Sequence, residues 1–140
     1  MNERKLQEQI VEDLNASAEL AAGGAKAFVE DQLALIDLVS EHLLSGVALV
    51  VVTPDMTRSG SSAEGIPATG PVLVQCEEVR DHNRERSGNL TALAAGRIVR
   101  HLLDRPGLHW RSTSQRVDPA AGRIIVTVTF DTGIMLTPEK

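Results

Sequence analysis

The chain has 140 residues, of which 42% are hydrophobic and 24% charged, and its formal net charge is −5. This length is typical of one domain with a single core, and no apolar run approaches the roughly 18 residues that a membrane-spanning helix needs. The acidic balance and the scarcity of aromatic residues (only Phe28, Phe130 and Trp110) argue against a nucleic-acid groove, which needs basic side chains and stacking platforms.

The first predicted element is an amphipathic helix over about residues 2–20. Leu6 and Ile10 stand four residues apart on its apolar face, and charged side chains occupy the opposite face. The segment has neither the apolar stretch nor the cleavage site of a signal peptide, so we expect no export by that route. Two glycines then break the helix before a short extended piece at residues 27–29.

A second helix is predicted over residues 31–44, followed by a glycine at position 46 that suits a helix end. A strand near the start of this segment is an open alternative. The run VALVVVT at residues 47–53 is continuously apolar and β-branched, which indicates a central strand buried on both faces and ended by Pro54.

The segment at residues 54–70 has almost no apolar content and is predicted to be a long flexible loop. Loops of this length are usually functional or disordered. Its SGSS run at residues 59–62 is superficially similar to a phosphate-binding loop, but the P-loop lysine is missing and the segment leads from strand to strand. A flexible hairpin or partner-contact loop is therefore the favoured interpretation.

A strand over residues 71–79 and a polar turn lead to the third predicted helix, which Ser87 or Asn89 can cap. Leucine, alanine and isoleucine repeat along that helix and predict a broad apolar face against the sheet. Gly96 lies in its interior, where glycine costs about 1 kcal/mol relative to alanine. We therefore expect a strand or another helix to approach Gly96 closely.

The last third predicts a β-hairpin, with strands over residues 108–117 and 123–131 joined by a DPAAG turn. Strict alternation assigns the second strand an inner face of large apolar residues and an outer face that includes Thr127. Arg111 and Gln115 of the first strand are assigned to the same outer face. This face is either solvated or a subunit contact.

No motif for catalysis or metal binding is evident. The four histidines (His42, His82, His101 and His109) lack metal-site spacing. Cys76 is predicted to be a buried structural thiol, and Glu77 and Glu78, as neighbours on a strand, point to opposite faces. We expect no catalytic residue, no cofactor and no metal. A small enzyme or ligand-binding domain would need a pocket, for which the candidates are His82, His101, His109 and Cys76.

These elements predict an α+β domain spanning residues 1–140, with a mixed or mainly antiparallel sheet of four to five strands and helices packed mainly on one face. Their order resembles that of the tail-terminator and minor-tail, or head–tail joining, proteins of long-tailed bacteriophages. The resemblance covers roughly residues 3–136. It rests on the segments QEQIVEDLNASAEL, VALVVVTP, PVLVQCEEV, LTALAAGRIVRHLL and GLHWRSTSQRVDPAAGRIIVTVTFDTG.

The resemblance implies a structural virion protein, made in the host cytoplasm, that forms a ring, commonly a hexamer, on the head-proximal end of the tail tube. Its implied partners are further copies of the chain, the tube protein and the head–tail connector, with no sequence-specific nucleic acid and no membrane. Another connector or tail-completion role, and an unrelated interaction module with the same fold, stay open. The residues singled out as subunit or tube contacts are Met56, Arg58, Ile66, Arg111, Gln115 and Thr127.

Overall fold

A computed structural model of the protein describes residues 2–30, 39, 46–60, 65–79, 89–120 and 122–136. The helix predicted over residues 31–44 lies outside the described residues except for Val39, and so does the polar turn that contains His82. None of the helices described is long and apolar enough to cross a membrane.

Three helices and one mixed sheet of six strands make up the described fold. The helices are α1 (Glu3–Ala16), α2 (Ala18–Ala22) and α3 (Asn89–Leu102). The strands are β1 (Ala25–Val29), β2 (Val47–Val52), β3 (Thr57–Arg58), β4 (Ile66–Val79), β5 (Leu108–Asp118) and β6 (Arg123–Leu136). Their order across the sheet is β1-β2-β4-β6-β5, with β3 against β4. Only the β1–β2 pair is parallel.

The mixed sheet agrees with the prediction, but the predicted count of four to five strands is wrong. The difference lies in the segment predicted to be a long loop, which supplies β3 and the first residues of β4. Prolines at 67 and 71 and glycine at 70 weaken the strand signal there, because proline lacks a backbone donor and glycine has no side chain to pack. Pairing with β6, one residue for one along all of β4, overrides this weak local preference.

Gly70 of β4 makes room for the segment that connects β2 to β3. From Val52 to Thr57 the chain advances five residues while its partner β4 advances four, from Leu73 to Thr69, so one extra residue is accommodated. A Cβ at Gly70 would collide with the carbonyl oxygen of Asp55 and lie 2.8 Å from a methionine sulfur. Glycine is therefore required where this crossing segment lies against β4.

The main core lies between the sheet and the helices. Ile10 of α1, Ile98 of α3 and Phe130 of β6 are completely buried and belong to one apolar cluster. A second, smaller cluster on the other face joins Val39 to Phe28 and two residues of β2. All three described helices thus pack on one face, while Val39 covers part of the opposite one, so the predicted packing mainly on one face is matched only roughly.

Polar contacts fix α1 to the ends of the parallel strands. Gln7 is buried, and its side-chain amide donates hydrogen bonds to Glu30 Oε1 (2.8 Å) and to Thr53 Oγ1 (2.5 Å). Glu30 and Thr53 directly follow β1 and β2, so this one side chain connects the helix to two strands. Because a buried amide without a partner is costly, the network specifies how α1 sits on the sheet.

We expect Ile98→Ala to lower the free energy of unfolding by about 2 to 5 kcal/mol, because the substitution leaves a cavity between α3 and the sheet. Leu103→Ala is the matched control, since Leu103 follows the same helix and is 57% exposed. Its effect is expected to stay within about 0.5 kcal/mol. Urea unfolding curves measure both variants, and equal losses would contradict the packing described for α3.

Candidate assembly surface

Strand β5 is an edge strand that is exposed on both faces. Every residue from His109 to Val117 is exposed, and among the described strands β5 pairs only with β6. Trp110, the only tryptophan in the chain, is 50% exposed. Long edge strands present a row of backbone donors and acceptors to which another strand can add. β5 therefore has the geometry of a docking edge.

A β-bulge at Arg111 decides which face each β5 side chain occupies. Trp110 pairs with Phe130 and Ser112 with Thr129, so Arg111 is the extra residue. Beyond the bulge the alternation is reversed, because two residues of β5 oppose one of β6. Strict alternation from the sequence could not detect this change.

The bulge separates the three hairpin residues that the sequence assigned to one face. Gln115 pairs with Val126, a residue of the main core, and so lies on the helix side of the sheet. The prediction that Gln115 shares the outer face is wrong. Thr127 lies on the outer face, and Arg111 approaches Asp131 of that face with an Nη1–Oδ1 distance of 3.6 Å.

An open groove of about 490 Å³ lies between α3 and β5. Small residues of the helix, Ala92, Ala95 and Gly96, form one wall. Trp110 and Gln115 contribute to the other, and the residues that line the groove carry no charge. The tryptophan is held in place by a 3.2 Å hydrogen bond from its indole N–H to Thr113 on the same face, beyond the bulge.

Gly96 does not have the close neighbour that the sequence analysis predicted. A Cβ at this position would meet no heavy atom of the described chain within 4 Å. The glycine opens onto the groove, so its cost in helix stability has no packing explanation within the described residues.

The segment predicted to be a contact loop forms β3, which lies across the β4–β6 pair from β5, and the first residues of β4 itself. We call residues 54–60 and 65–70 the β3–β4 arm. Ile66 is 45% exposed, whereas Met56 is partly buried and packs against the main core. Arg58 is exposed, and its Nε donates a 2.8 Å hydrogen bond to the Gly60 carbonyl. Ile66 and Arg58 of the arm are therefore accessible at the surface, and Met56 mainly supports the arm from beneath.

The opposite edge of the sheet is blocked by a side chain. Asn15 of α1 accepts a hydrogen bond from the Ala27 N–H (2.8 Å) and donates one to the Ala27 carbonyl (3.1 Å). Both bonds point away from β2, so the amide occupies the position that another strand would take beside β1. The two outer strands of the sheet therefore differ: β1 is covered and β5 is open.

Charge is distributed unevenly along the chain. Residues 97–116 contain five arginines and one aspartate, whereas the rest has nine basic and 18 acidic side chains. Arg97 and Arg100 pair with Glu19 (3.4 and 2.7 Å), and Arg105 pairs with an aspartate of α1. The two arginines of β5 lie beyond this inner network, on the exposed edge.

The described residues do not bring His101, His109 and Cys76 together in a ligand pocket. His101 contacts the Asp13 carbonyl at 3.1 Å, whereas His109 pairs with Asp131 in the outer part of the hairpin. Cys76 is buried in the core, and no group of three potential metal ligands occurs among the described residues. His82 lies outside them.

The role of Glu78 was not predicted from the sequence. This carboxylate is buried and accepts hydrogen bonds from the N–H (3.0 Å) and the hydroxyl (2.9 Å) of Thr91 in the first turn of α3. A negative charge at a helix N-terminus is stabilising. The sequence contains one signal for this role. Glu78 is acidic, whereas the even-numbered residues before it on the same strand are apolar. Glu77 lies on the other face and pairs with Arg123 at 3.3 Å.

Comparison with known proteins gives a structural match. No family model matches the sequence, and no curated protein matches it. A chain of the solved structure "Virion of native gene transfer agent (GTA) particle" shares the fold with a TM-score of 0.65 and 18% sequence identity. The match covers 94% of this chain and 95% of that chain. The protein therefore has the complete fold of a chain from that virion.

We expect Gly96→Ala to raise the free energy of unfolding of the isolated subunit by about 0.5 to 1 kcal/mol, because alanine has the higher helix propensity and the site has room for a methyl group. Ala95→Gly is the reciprocal control and should lower it. Urea unfolding measures both. A loss of stability in Gly96→Ala would show that a neighbour occupies the site.

Because of Cys76, the free energy of unfolding should depend on pH in the alkaline range. Burial, with a smaller contribution from Glu77, raises the pKa of the Cys76 thiol from 9.0 to about 12. Between these values the unfolded thiol loses its proton while the folded one keeps it, so the free energy of unfolding falls as pH rises. The Cys76→Ala variant lacks this pH dependence. The free energy of unfolding should therefore fall more steeply with rising pH in the wild type than in the variant. Parallel curves, or a native thiol that reacts readily with a disulfide reagent, would contradict the assignment.

Proposed function

We propose that the protein is a structural subunit of a phage-like virion, a tail terminator that forms a ring on the head-proximal end of the tail tube and joins it to the head connector. The observation that carries the proposal is the shared fold with a virion chain over nearly the full length of both chains. The resemblance in element order to phage tail-terminator and minor-tail proteins supports the same role.

The exposed surfaces suit a subunit that meets its neighbours on two sides. A ring needs a heterologous contact, in which one surface of each copy meets a different surface of the next. The open edge of β5 with its groove and strand β3 of the arm lie on opposite sides of the β4–β6 pair. On this account the subunit contacts include Arg58 and Ile66 of the arm and Arg111, Gln115 and Thr127 of the hairpin, with Met56 supporting the arm.

Nothing in this role requires catalysis or a cofactor, and the 140 residues act as one domain. The partners are further copies of the chain, the tube protein and the connector.

The second candidate is another head–tail connector or tail-completion protein. The structural match supports it equally, because the match is to a chain of the particle and does not distinguish positions within it. The groove has the size of a small-molecule site, but no titratable side chain lines it.

Deleting the gene in a strain that produces the particle tests the role directly. A terminator's absence should leave unjoined heads and tails of irregular length in electron micrographs, and expression of the wild-type chain should restore joined particles. Loss of joining with tails of normal length would favour the connector role. Normal particles would exclude both roles.

The ring is tested separately by native mass spectrometry of the purified protein over a concentration series, with negative-stain imaging at the highest concentration. We expect one closed oligomer, a hexamer, to replace the monomer as concentration rises. An open-ended series of sizes, or a dimer as the final state, would contradict ring closure.

A further inference from the structure

We propose that the free edge of β5 receives a strand from a different protein, one in which acidic and apolar residues alternate. Its acidic side chains would face Arg116 on the outer face of the sheet, and its apolar side chains would cover the groove beside Trp110. The inference rests on the proposed function, which makes that protein another component of the virion. It assigns the edge of β5 to this partner and leaves the arm and the outer face around Thr127 to neighbouring copies.

Charge indicates that the partner is not another described strand of this chain. β1, β3 and β5 lie at the borders of the sheet. Together they contain four basic residues (Lys26, Arg58, Arg111 and Arg116) and one acidic residue, Asp118. The whole chain has a net charge of −5, and 18 of its 19 acidic residues lie elsewhere. Like charges opposite one another destabilise a strand pair, and charged edge strands disfavour edge-to-edge association. The described borders are therefore poor partners for one another.

Arg116 gives the β5 edge its preference for an acid. Its side chain is exposed and forms no ion pair with a described residue, whereas Arg111 already approaches Asp131. Arg116 pairs with Ile125 of β6 and so lies on the outer face of the sheet. A carboxylate on the same face of an added strand would lie opposite this guanidinium. Opposite charges that face each other across two strands stabilise the pair.

The groove accounts for the apolar side chains of the partner. Trp110, Thr113 and Gln115 lie on the helix face of β5, and with α3 they border an open, uncharged space of about 490 Å³. A strand beside β5 places every second side chain on this face, next to the indole of Trp110. Gly96 leaves the helix wall without a side chain there. Recognition by strand addition combines an edge that gives affinity with a pocket that selects side chains.

Peptide binding tests the charge preference in the full-length protein. The probe is a short synthetic peptide in which glutamate alternates with leucine and valine, and its control has lysine in place of each glutamate. Trp110 is the only tryptophan of the chain, so its fluorescence reports binding at the groove. We expect the acidic peptide to shift the Trp110 emission and to bind at least about 10-fold more tightly than the basic one. Equal affinities, or an acidic peptide that does not bind, would overturn the proposal.

Arg116→Glu separates the edge from the overall charge. We expect this variant to raise the Kd of the acidic peptide at least about 10-fold, because it reverses the charge that the peptide faces. Lys26→Glu is the matched control, since it makes the same charge change at an exposed position of β1, at the other border of the sheet. Four strand spacings of about 4.8 Å separate the two borders, so the control should leave the Kd unchanged at physiological salt. Equal effects of both variants would overturn the assignment to β5.

Hydrogen–deuterium exchange tests whether the peptide adds as a strand. The amides of β5 that face away from β6 gain a hydrogen-bond partner only in that arrangement, so the bound acidic peptide should slow exchange within Leu108–Asp118. Protection in another segment, with β5 unchanged, would place the peptide at a different site and overturn the proposal.

The oligomeric state distinguishes a failure of this inference from a failure of the proposed function. We expect Arg116→Glu to form the same closed oligomer as the wild type in native mass spectrometry, because copies do not use this edge. A variant that stays monomeric while the wild type forms rings would assign the edge to a neighbouring copy and overturn the inference, with the virion role intact. Normal particles after deletion of the gene would contradict the virion role and the assignment of the partner to the virion. The peptide and exchange measurements decide the strand site separately.

Discussion

The antiparallel pairing of β4 with β6 is the constraint on which the rest of the fold depends. The two strands match over 14 residues, and both lie in the middle of the sheet. Their even-numbered side chains, among them Val72, Val74, Val128 and Phe130, form the surface on which the helices pack. β2 and β3 add to one side of this pair and β5 to the other. The pair therefore sets the distance between β3 and the groove beside β5, the two regions proposed as subunit contacts.

Sequence patterns could predict the parts of this fold in which local preference and tertiary pairing agree. Strand β2 is continuously β-branched, and α1 and α3 have strong amphipathic periodicity. The two features that shape the candidate site depend on pairing partners instead. The bulge at Arg111 leaves no composition signal, since any exposed residue fits there. The first part of β4 contains proline and glycine and becomes a strand because β6 extends beside it, and the two residues of β3 then pair with β4.

Gly96 and Glu78 illustrate the same limit from opposite directions. A glycine inside an amphipathic helix indicates close approach, but the sequence cannot say whether the neighbour belongs to the same chain or to another. An acidic residue among apolar strand residues looks like a local exception. In the fold it neutralises the positive end of a helix that starts 11 residues later in the chain. Both residues are understood only after the helix and the sheet are placed together.

Asn15 limits how copies of this protein can associate through their sheets. A subunit with two open sheet edges could join others into a continuous sheet without end, which is the route to fibres. The side-chain amide occupies the backbone groups of Ala27 in the middle of β1, which disfavours pairing of this strand with β5 of another copy. The chain can therefore expose the long edge of β5 without joining it to β1 of another copy at Ala27.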